Sequence, residues 1–334
     1  MRAHPDRPAI GVDLGGTNIV CAAVTPDARI IEKHKRPTEV PKGVEGVVAN
    51  IKECIREVLR KAHLSLEEIS GIGIGSPGPL NTRTGIVVSP ANLTGWRNVP
   101  LRKMLEDEFK VRVVLDNDAN AAAYAEKWAG AGKGVDNLVV FTLGTGVGGG
   151  IIIDGKLLRG PDDTAGEVGH CTIDYNGYPC KCGNRGCLET YVSATGIVRR
   201  TIEAIRKGRQ TIISTMVDGD LDRLTSKIVH EALEKGDQLA CEIFEETGRL
   251  LGAGIANIIN TLNPEMIVIS GGVIQAGEHL FGPTKDEVRR RAFEEPARTA
   301  RIVPARLGGD AGVIGAAGIL LQQLALEKQA QKKM

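Results

Sequence analysis

The chain has 334 residues, a formal net charge of +1, 25% charged and 42% apolar side chains, the balance of a globular protein long enough for two domains. The near-neutral charge excludes the electrostatic footprint of a nucleic-acid binder. The start "MRAHPDRPAI" lacks the apolar centre of a signal peptide and the longest apolar runs, such as "NLVVFTL", are too short for a membrane span, so a cytoplasmic protein with no membrane partner is expected.

The first element, "AIGVDLGGTNIVCAAV", is a strand, a glycine turn and a second strand. An amphipathic helix follows, with Val44, Val47, Val48, Ile51, Ile55, Val58 and Leu59 on one stripe. Then come a strand in "ISGIGIGSPGPL", a hairpin, and a short helix at "LRKMLEDEF". "VRVVLDNDANAAAYAEKWAG" is a strand running into an alanine-rich helix, and "LVVFTLGTGVGGGIII" repeats the plan of the opening hairpin. After a cysteine-rich segment the chain is mostly helical. One long helix, "DQLACEIFEETGRLLGAGIANIINTL", ends at Asn263-Pro264; a strand, "EMIVISGG", and a final helix from about Asp310 complete the chain. Strands alternating with helices, with one opening hairpin used twice, predict a duplicated α/β architecture with a cleft between halves.

The segment "HCTIDYNGYPCKCGNRGCLE", His170 to Glu189, holds four of the seven cysteines. Cytosolic thiols stay reduced, so a cluster points to metal or catalysis before disulfides. Cys21, Cys54 and Cys241 lie in apolar, patterned stretches and are expected to be core residues. Cys171 follows His170 directly and should face the other way in an extended segment. His170, Cys180, Cys182 and Cys187 remain, a closed tetrahedral set for a structural Zn2+, with unpaired surface thiols as the alternative. Gly183 and Gly186 fit the tight loop that this spacing demands.

Gly144, Gly146 and Gly149 fit G-x-G-x-x-G, as do Gly73, Gly75 and Gly78, but neither motif lies between a strand and a helix as a dinucleotide site requires. No P-loop motif occurs. What remains is a pair of glycine hairpins able to aim backbone N–H groups at phosphate oxygens, with Thr17, Asn18 and Thr145 as added donors. Asp13 at the first turn suits the shell of a Mg2+ ion, through water. Glycines that merely make turns are the plainer reading, which the matched pair disfavours.

"DLGGTN", "GSPGP", "NDANAAA", "LGTGVGGG", "GEVGH" and "CKCGNRGCLE", in this order, resemble the ROK family of sugar kinases and, within it, the bacterial ATP-dependent glucokinase branch. The resemblance runs from about Ile10 to the final helix. It implies the two-domain, ribonuclease-H-like fold of the actin and hexokinase superfamily. A small domain would comprise residues 1–117, completed by the C-terminal helix at about 312–334. A large domain would comprise 118–311, with the zinc-binding segment at 170–189.

The resemblance also implies roles. Asp118 is the catalytic base. Asn92, Asn117, Asp118, Glu167, His170 and Glu189 contact the sugar. Asp13, Gly15, Gly16, Thr17 and Asn18, with Gly144, Thr145 and Gly146, serve the phosphates, and Gly271 and Gly272 flank the adenosine. The substrates implied are ATP, with Mg2+, and a hexose. Glucose is expected first; N-acetylmannosamine, fructose and allose stand as alternatives, as does polyphosphate for the donor. Family members assemble as homodimers or homotetramers, and a homodimer at least is expected here. The family also holds sugar-responsive transcription regulators, which carry a DNA-binding domain ahead of the kinase-like part. Only about nine residues precede the first strand here, which disfavours that class.

Hydroxyl recognition suits Asn, Asp, Glu and His, each of which pairs with groups that both donate and accept. Phosphoryl transfer needs alignment, charge neutralisation and a base. An aspartate at a helix start is, taken alone, usually a cap; the surrounding motifs turn Asp118 toward catalysis. The helix start should also depress its pKa, leaving a weak base that takes its proton late. If His170 binds zinc through one ring nitrogen, the other can serve the sugar, and the metal would do no chemistry beyond holding Glu167 and Glu189 in place.

Overall fold

The computed structural model describes residues 4–333. In chain order its strands and helices are β1 (Ala9–Leu14), β2 (Asn18–Val24), β3 (Ile30–Pro37), α1 (Gly43–Lys61), β4 (Ile72–Ser76), β5 (Leu80–Asn81), β6 (Ile86–Val87), α2 (Leu101–Phe109), β7 (Val113–Asn117), α3 (Asp118–Ala129), β8 (Leu138–Leu143), β9 (Val147–Ile153), β10 (Lys156–Leu157), α4 (Glu189–Val192), α5 (Ala194–Arg206), α6 (Ile213–Met216), α7 (Ser226–Glu234), α8 (Gln238–Leu262), β11 (Met266–Ser270), α9 (Glu278–Arg291), α10 (Glu294–Thr299), β12 (Arg301–Pro304) and α11 (Ala311–Lys333). The mixed α/β class read from the sequence holds. By their contacts the elements gather into two compact units. The first comprises the residues up to Asp136, Gly150–Gly166 and those from Arg306; the second comprises Asn137–Gly149 and Glu167–Ala305.

The first unit is built on a sheet of order β3-β2-β1-β4-β7. β1 and β2 form the expected antiparallel hairpin, with Val12 opposite Cys21, and β1, β4 and β7 run parallel. Ile10, Val12, Ile72, Ile74, Val113 and Leu115 are buried, and the apolar stripe of α1 closes over them. α11 lies directly on the strands: a Cβ at Gly73 would come within 1.9 Å of the Ala316 carbonyl oxygen. α11 is also the one helix among the described residues long and apolar enough to cross a membrane, and 61% of that stretch is buried inside the fold.

α3 packs against α11 through small residues, where a Cβ at Gly315 would meet the Ala121 carbonyl oxygen at 1.7 Å. That packing puts α3 in the first unit, so the contacts do not divide at the expected boundary of Asp118. β3 was not anticipated. Its residues alternate between half-buried and exposed, as on a sheet edge open to water, and the charged sequence "IEKHKR" hides the period.

A second sheet has the order β10-β9-β8-β11-β12, with β11 parallel to both β8 and β12. The expected second hairpin is thus formed, turning at Gly144–Gly146. α8 begins with the Asp237 carboxylate accepting from the Ala240 N–H at 2.9 Å and ends at Asn263 in the left-handed region, as read from Asn263-Pro264. β12, a short edge strand, had no counterpart in the sequence reading.

Candidate active site

In the first unit, β7 delivers Asn117 and Asp118 to the start of α3. Asn117, and not Asp118, is the cap: its Oδ1 accepts from the N–H groups of Ala119 at 2.9 Å and Asn120 at 3.2 Å. The Asn117 side chain also bonds the Asp118 carboxylate, which only its NH2 can do. The strand end is locked by Asp116, which is 2% exposed. One of its oxygens accepts from Arg159 Nε and Nη2 at 2.8 and 2.7 Å. The other accepts from Asn120 Nδ2 at 3.0 Å and the Asn117 N–H at 2.8 Å. Neither Asp116 nor Arg159 was singled out from sequence, because their partnership spans 43 residues and carries no motif.

The Asp118 pKa is raised, not depressed as expected. Loss of water around the half-buried carboxylate outweighs the backbone N–H groups of Ala119 and Asp118 and the Asn117 side chain, which pull the other way. Asp13, from the end of β1, has its pKa pushed to about 6, by loss of water first and by the negative charge of Asp118 second. The negative charge of Asp118 thus opposes ionisation of Asp13. Asp13 lies over the first turn of α11, where a Cβ at Gly312 would come within 2.5 Å of Asp13 Oδ2.

In the glycine turn of the first hairpin the Gly15 N–H is engaged by the Asn18 carbonyl at 3.0 Å, and Thr38 Oγ1 donates to the Gly15 carbonyl at 2.6 Å. Gly15 therefore shapes the turn, its own N–H and carbonyl already engaged. Exposed Asn92 stands beside the same turn: a Cβ at Gly16 would lie 3.1 Å from its Cβ.

The second unit repeats the device. The Gly144 N–H donates to the Gly146 carbonyl at 3.0 Å, the Gly144 carbonyl accepts from the Ala194 N–H at 2.9 Å, and the Thr145 carbonyl accepts from Thr195 Oγ1 at 3.0 Å. Glu189, at the start of α4, accepts from the Val147 N–H at 2.9 Å, so an expected sugar ligand also buttresses the expected phosphate turn. Gly271 follows β11 and packs on Leu143, whose carbonyl oxygen would lie 2.1 Å from a Cβ there. A groove of about 660 Å3 runs beside Thr145, between α5 and the start of α7, lined among others by Val198, Ile202 and Leu224 with Arg199 and Arg206. A larger hollow of about 850 Å3, between α9, α10 and β12, contains none of the residues singled out from sequence.

The four metal-ligand candidates converge as the spacing predicted. One donor atom each from His170, Cys180, Cys182 and Cys187 lies within 4.8 Å of all the others. His170 Nδ1 is 3.6 Å from Cys180 Sγ, and the thiols of Cys182 and Cys187 are 3.7 Å apart. A tetrahedral Zn2+ with bonds of about 2.3 Å to sulfur and about 2.1 Å to nitrogen demands S···N near about 3.6 Å and S···S near about 3.8 Å. The donor set fits the ion. Gly183 and Gly186 take φ of 94° and 67°, in the left-handed region that favours glycine. A side chain at Gly186 would also strike the Asp174 carbonyl oxygen at 1.6 Å.

Without a metal, burial and the neighbouring Cys180 and Cys182 thiols push the Cys187 thiol up to about 12, and burial raises Cys180. Cys182 alone is lowered, chiefly by the Asn184 N–H. His170 Nε2 points away from the set, 3.9 Å from a Glu167 oxygen. Cys171 is exposed and outside the set. Cys21 and Cys54 are buried as expected, but Cys241 is half-exposed.

Residues 9–323 match the ROK family. A glucokinase of Halalkalibacterium halodurans is 42% identical over 322 residues, 95% of this chain and 96% of its own length. A glucokinase of Thermotoga maritima is 39% identical over 320 residues, 96% of this chain and 99% of its own. Among solved structures, a ROK family glucokinase from Streptomyces griseus in complex with glucose and AMPPNP superposes with a TM-score of 0.82 at 35% identity, covering 94% of this chain and 99% of that one.

Proposed function

The chain belongs to the ROK family, and we propose that it is a glucokinase, transferring the γ-phosphoryl group of ATP to the 6-hydroxyl of glucose. The observation that carries this reading is likeness to glucokinases over nearly the whole chain.

In this reading Asp118 accepts the proton of the glucose 6-hydroxyl. As O6 bonds to phosphorus, the bond from the γ-phosphorus to its bridging oxygen breaks and ADP leaves with that electron pair. A carboxylate with a raised pKa is a better base at neutral pH than an ordinary one. The Asn117 NH2, with its oxygen engaged as a cap, donates to a sugar hydroxyl; Asn92, Glu167, His170 and Glu189 are the further hydroxyl partners. Gly16, Thr17 and Asn18, with Thr145 and Gly146, offer donors to phosphate oxygens. The groove beside Thr145, with Gly271 and Gly272, receives the nucleoside end. Asp13 would hold a Mg2+ ion through water; a half-buried carboxylate beside a second one fits a cation that relieves their repulsion. When bound, the ion neutralises charge on the phosphates.

Zinc would occupy the His170, Cys180, Cys182 and Cys187 set as a structural ion. Ligation at His170 Nδ1 fixes the proton on Nε2, which can then donate to the sugar. A cytoplasmic homodimer or homotetramer completes the reading, and light scattering on the purified protein tests the assembly. The activity is tested with purified protein, measuring ADP formation against glucose, N-acetylmannosamine, fructose and allose with ATP or polyphosphate. Glucose with ATP should give the highest kcat/KM. A higher value for another sugar or donor would reassign the substrate, and no transfer to any of them would overturn the reading.

A further inference from the structure

Cys241 and Glu245 stand one turn apart on α8, so their side chains share a face. α9 packs closely against that helix, since a Cβ at Gly248 would lie 2.5 Å from the Leu280 carbonyl oxygen. This brings His279, in the first turn of α9, over the pair. Cys241 Sγ is 3.5 Å from His279 Nδ1 and 3.5 Å from Glu245 Oε1, and the three donor atoms lie within 4.8 Å of one another. These separations match the edges of a zinc tetrahedron, about 3.6 Å between sulfur and nitrogen or oxygen. Glu245 is oriented from behind: its other oxygen accepts from Arg249 Nη2 at 3.2 Å, which turns Oε1 toward the thiol in the way that outer partners fix metal ligands.

We propose that Cys241, Glu245 and His279 form a second metal site, solvent-open and specific for Zn2+-like ions, that reversibly staples α8 to α9. Three protein ligands leave the fourth position to water, so this site is exchangeable where the four-ligand set is closed. Thiolate and imidazole together select zinc over Mg2+ or Ca2+. Binding exchanges the thiol proton, released to solvent, for a sulfur–metal bond.

The test is equilibrium uptake from a zinc buffer by the full chain, compared with Cys241→Ser and His279→Ala. The parent should bind one further zinc per chain than either variant, and its Tm should rise with free zinc where theirs does not. Co2+ loaded into the same protein should give a thiolate charge-transfer band that Cys241→Ser removes in part. Cys182→Ser should lose the other zinc and keep this one, so the two sites are separable, and none of these readouts depends on the sugar substrate. Equal zinc uptake by the parent and both variants overturns the proposal.

Discussion

Asp13→Asn should make the metal-free protein more stable while abolishing its activity. The Asp13 carboxyl titrates at about 6 in the fold against a reference of 3.8. Below pH 3.8 both folded and unfolded chains carry the proton, and this group leaves stability untouched. Between 3.8 and about 6 the unfolded chain has released the proton while the fold retains it, so stability falls as pH rises. Above about 6 both are ionised and the fold bears the whole cost, about 3 kcal/mol for a shift of this size. Asparagine removes that cost without removing the volume. The variant should therefore gain up to about 3 kcal/mol over the parent near pH 8 and nothing near pH 4. Millimolar Mg2+ with ATP should close the gap by stabilising only the parent. Urea denaturation of ligand-free protein at both pH values, with phosphoryl transfer on the same samples, reads both effects. A variant less stable than the parent at the higher pH would show that Asp13 is held by attractive contacts and is no strained carboxylate awaiting a cation.

Asp118→Asn should bind glucose near normally while kcat falls by about two to four orders of magnitude, the usual worth of a positioned base; near-normal turnover would return Asp118 to a structural role. Cys182→Ser should remove a zinc ligand, lower the Tm and weaken sugar binding. Metal analysis finding no zinc in fully active parent protein would sink the structural-ion reading. Gly144→Val tests the phosphate turn cleanly, because a Cβ at Gly144 meets no atom within 4 Å. The Tm should be unchanged while KM for ATP rises sharply, and an unchanged KM would move phosphate recognition elsewhere.

What the sequence revealed, and what it hid, divides along the chain distance of each partnership. The hairpin of β1 and β2, the passage from β7 into α3 and the end of α8 are short-range patterns, and apolar runs broken by glycine or closed by Asn263-Pro264 reported them directly. The His170, Cys180, Cys182 and Cys187 set lies within 18 consecutive residues, so its spacing alone carried the geometry. Cys241 was misread for the complementary reason. Its own helix is apolar, and the histidine that gives the thiol a partner is 38 residues away. The Asp116–Arg159 pair was silent in the same way, as were β3 and β12, edge strands whose pairing is set by neighbours and not by their own pattern.

Asp118 is the case in which the local rule was correct and still lost. The N–H groups at the start of α3 do stabilise its charge, and Ala119 donates to its Oδ1 at 2.9 Å. But the capping acceptor is Asn117, and what surrounds Asp118 has removed enough water to reverse the sign. A helix start can be read from "DNDANAAA"; the water excluded around it depends on Asp13, Gly75 and the other residues that the sheet brings alongside, which adjacent letters do not encode. The reversal also changes the chemistry. In the proposed reaction a depressed pKa would have required the proton to move only after phosphorus was bonded, whereas a raised one would let Asp118 draw on the hydroxyl from the start of the transfer. The acid limb of the kcat/KM profile for glucose separates the two. It should lie above the ordinary aspartate range, and a limb below that range would restore the depressed carboxylate and the late proton.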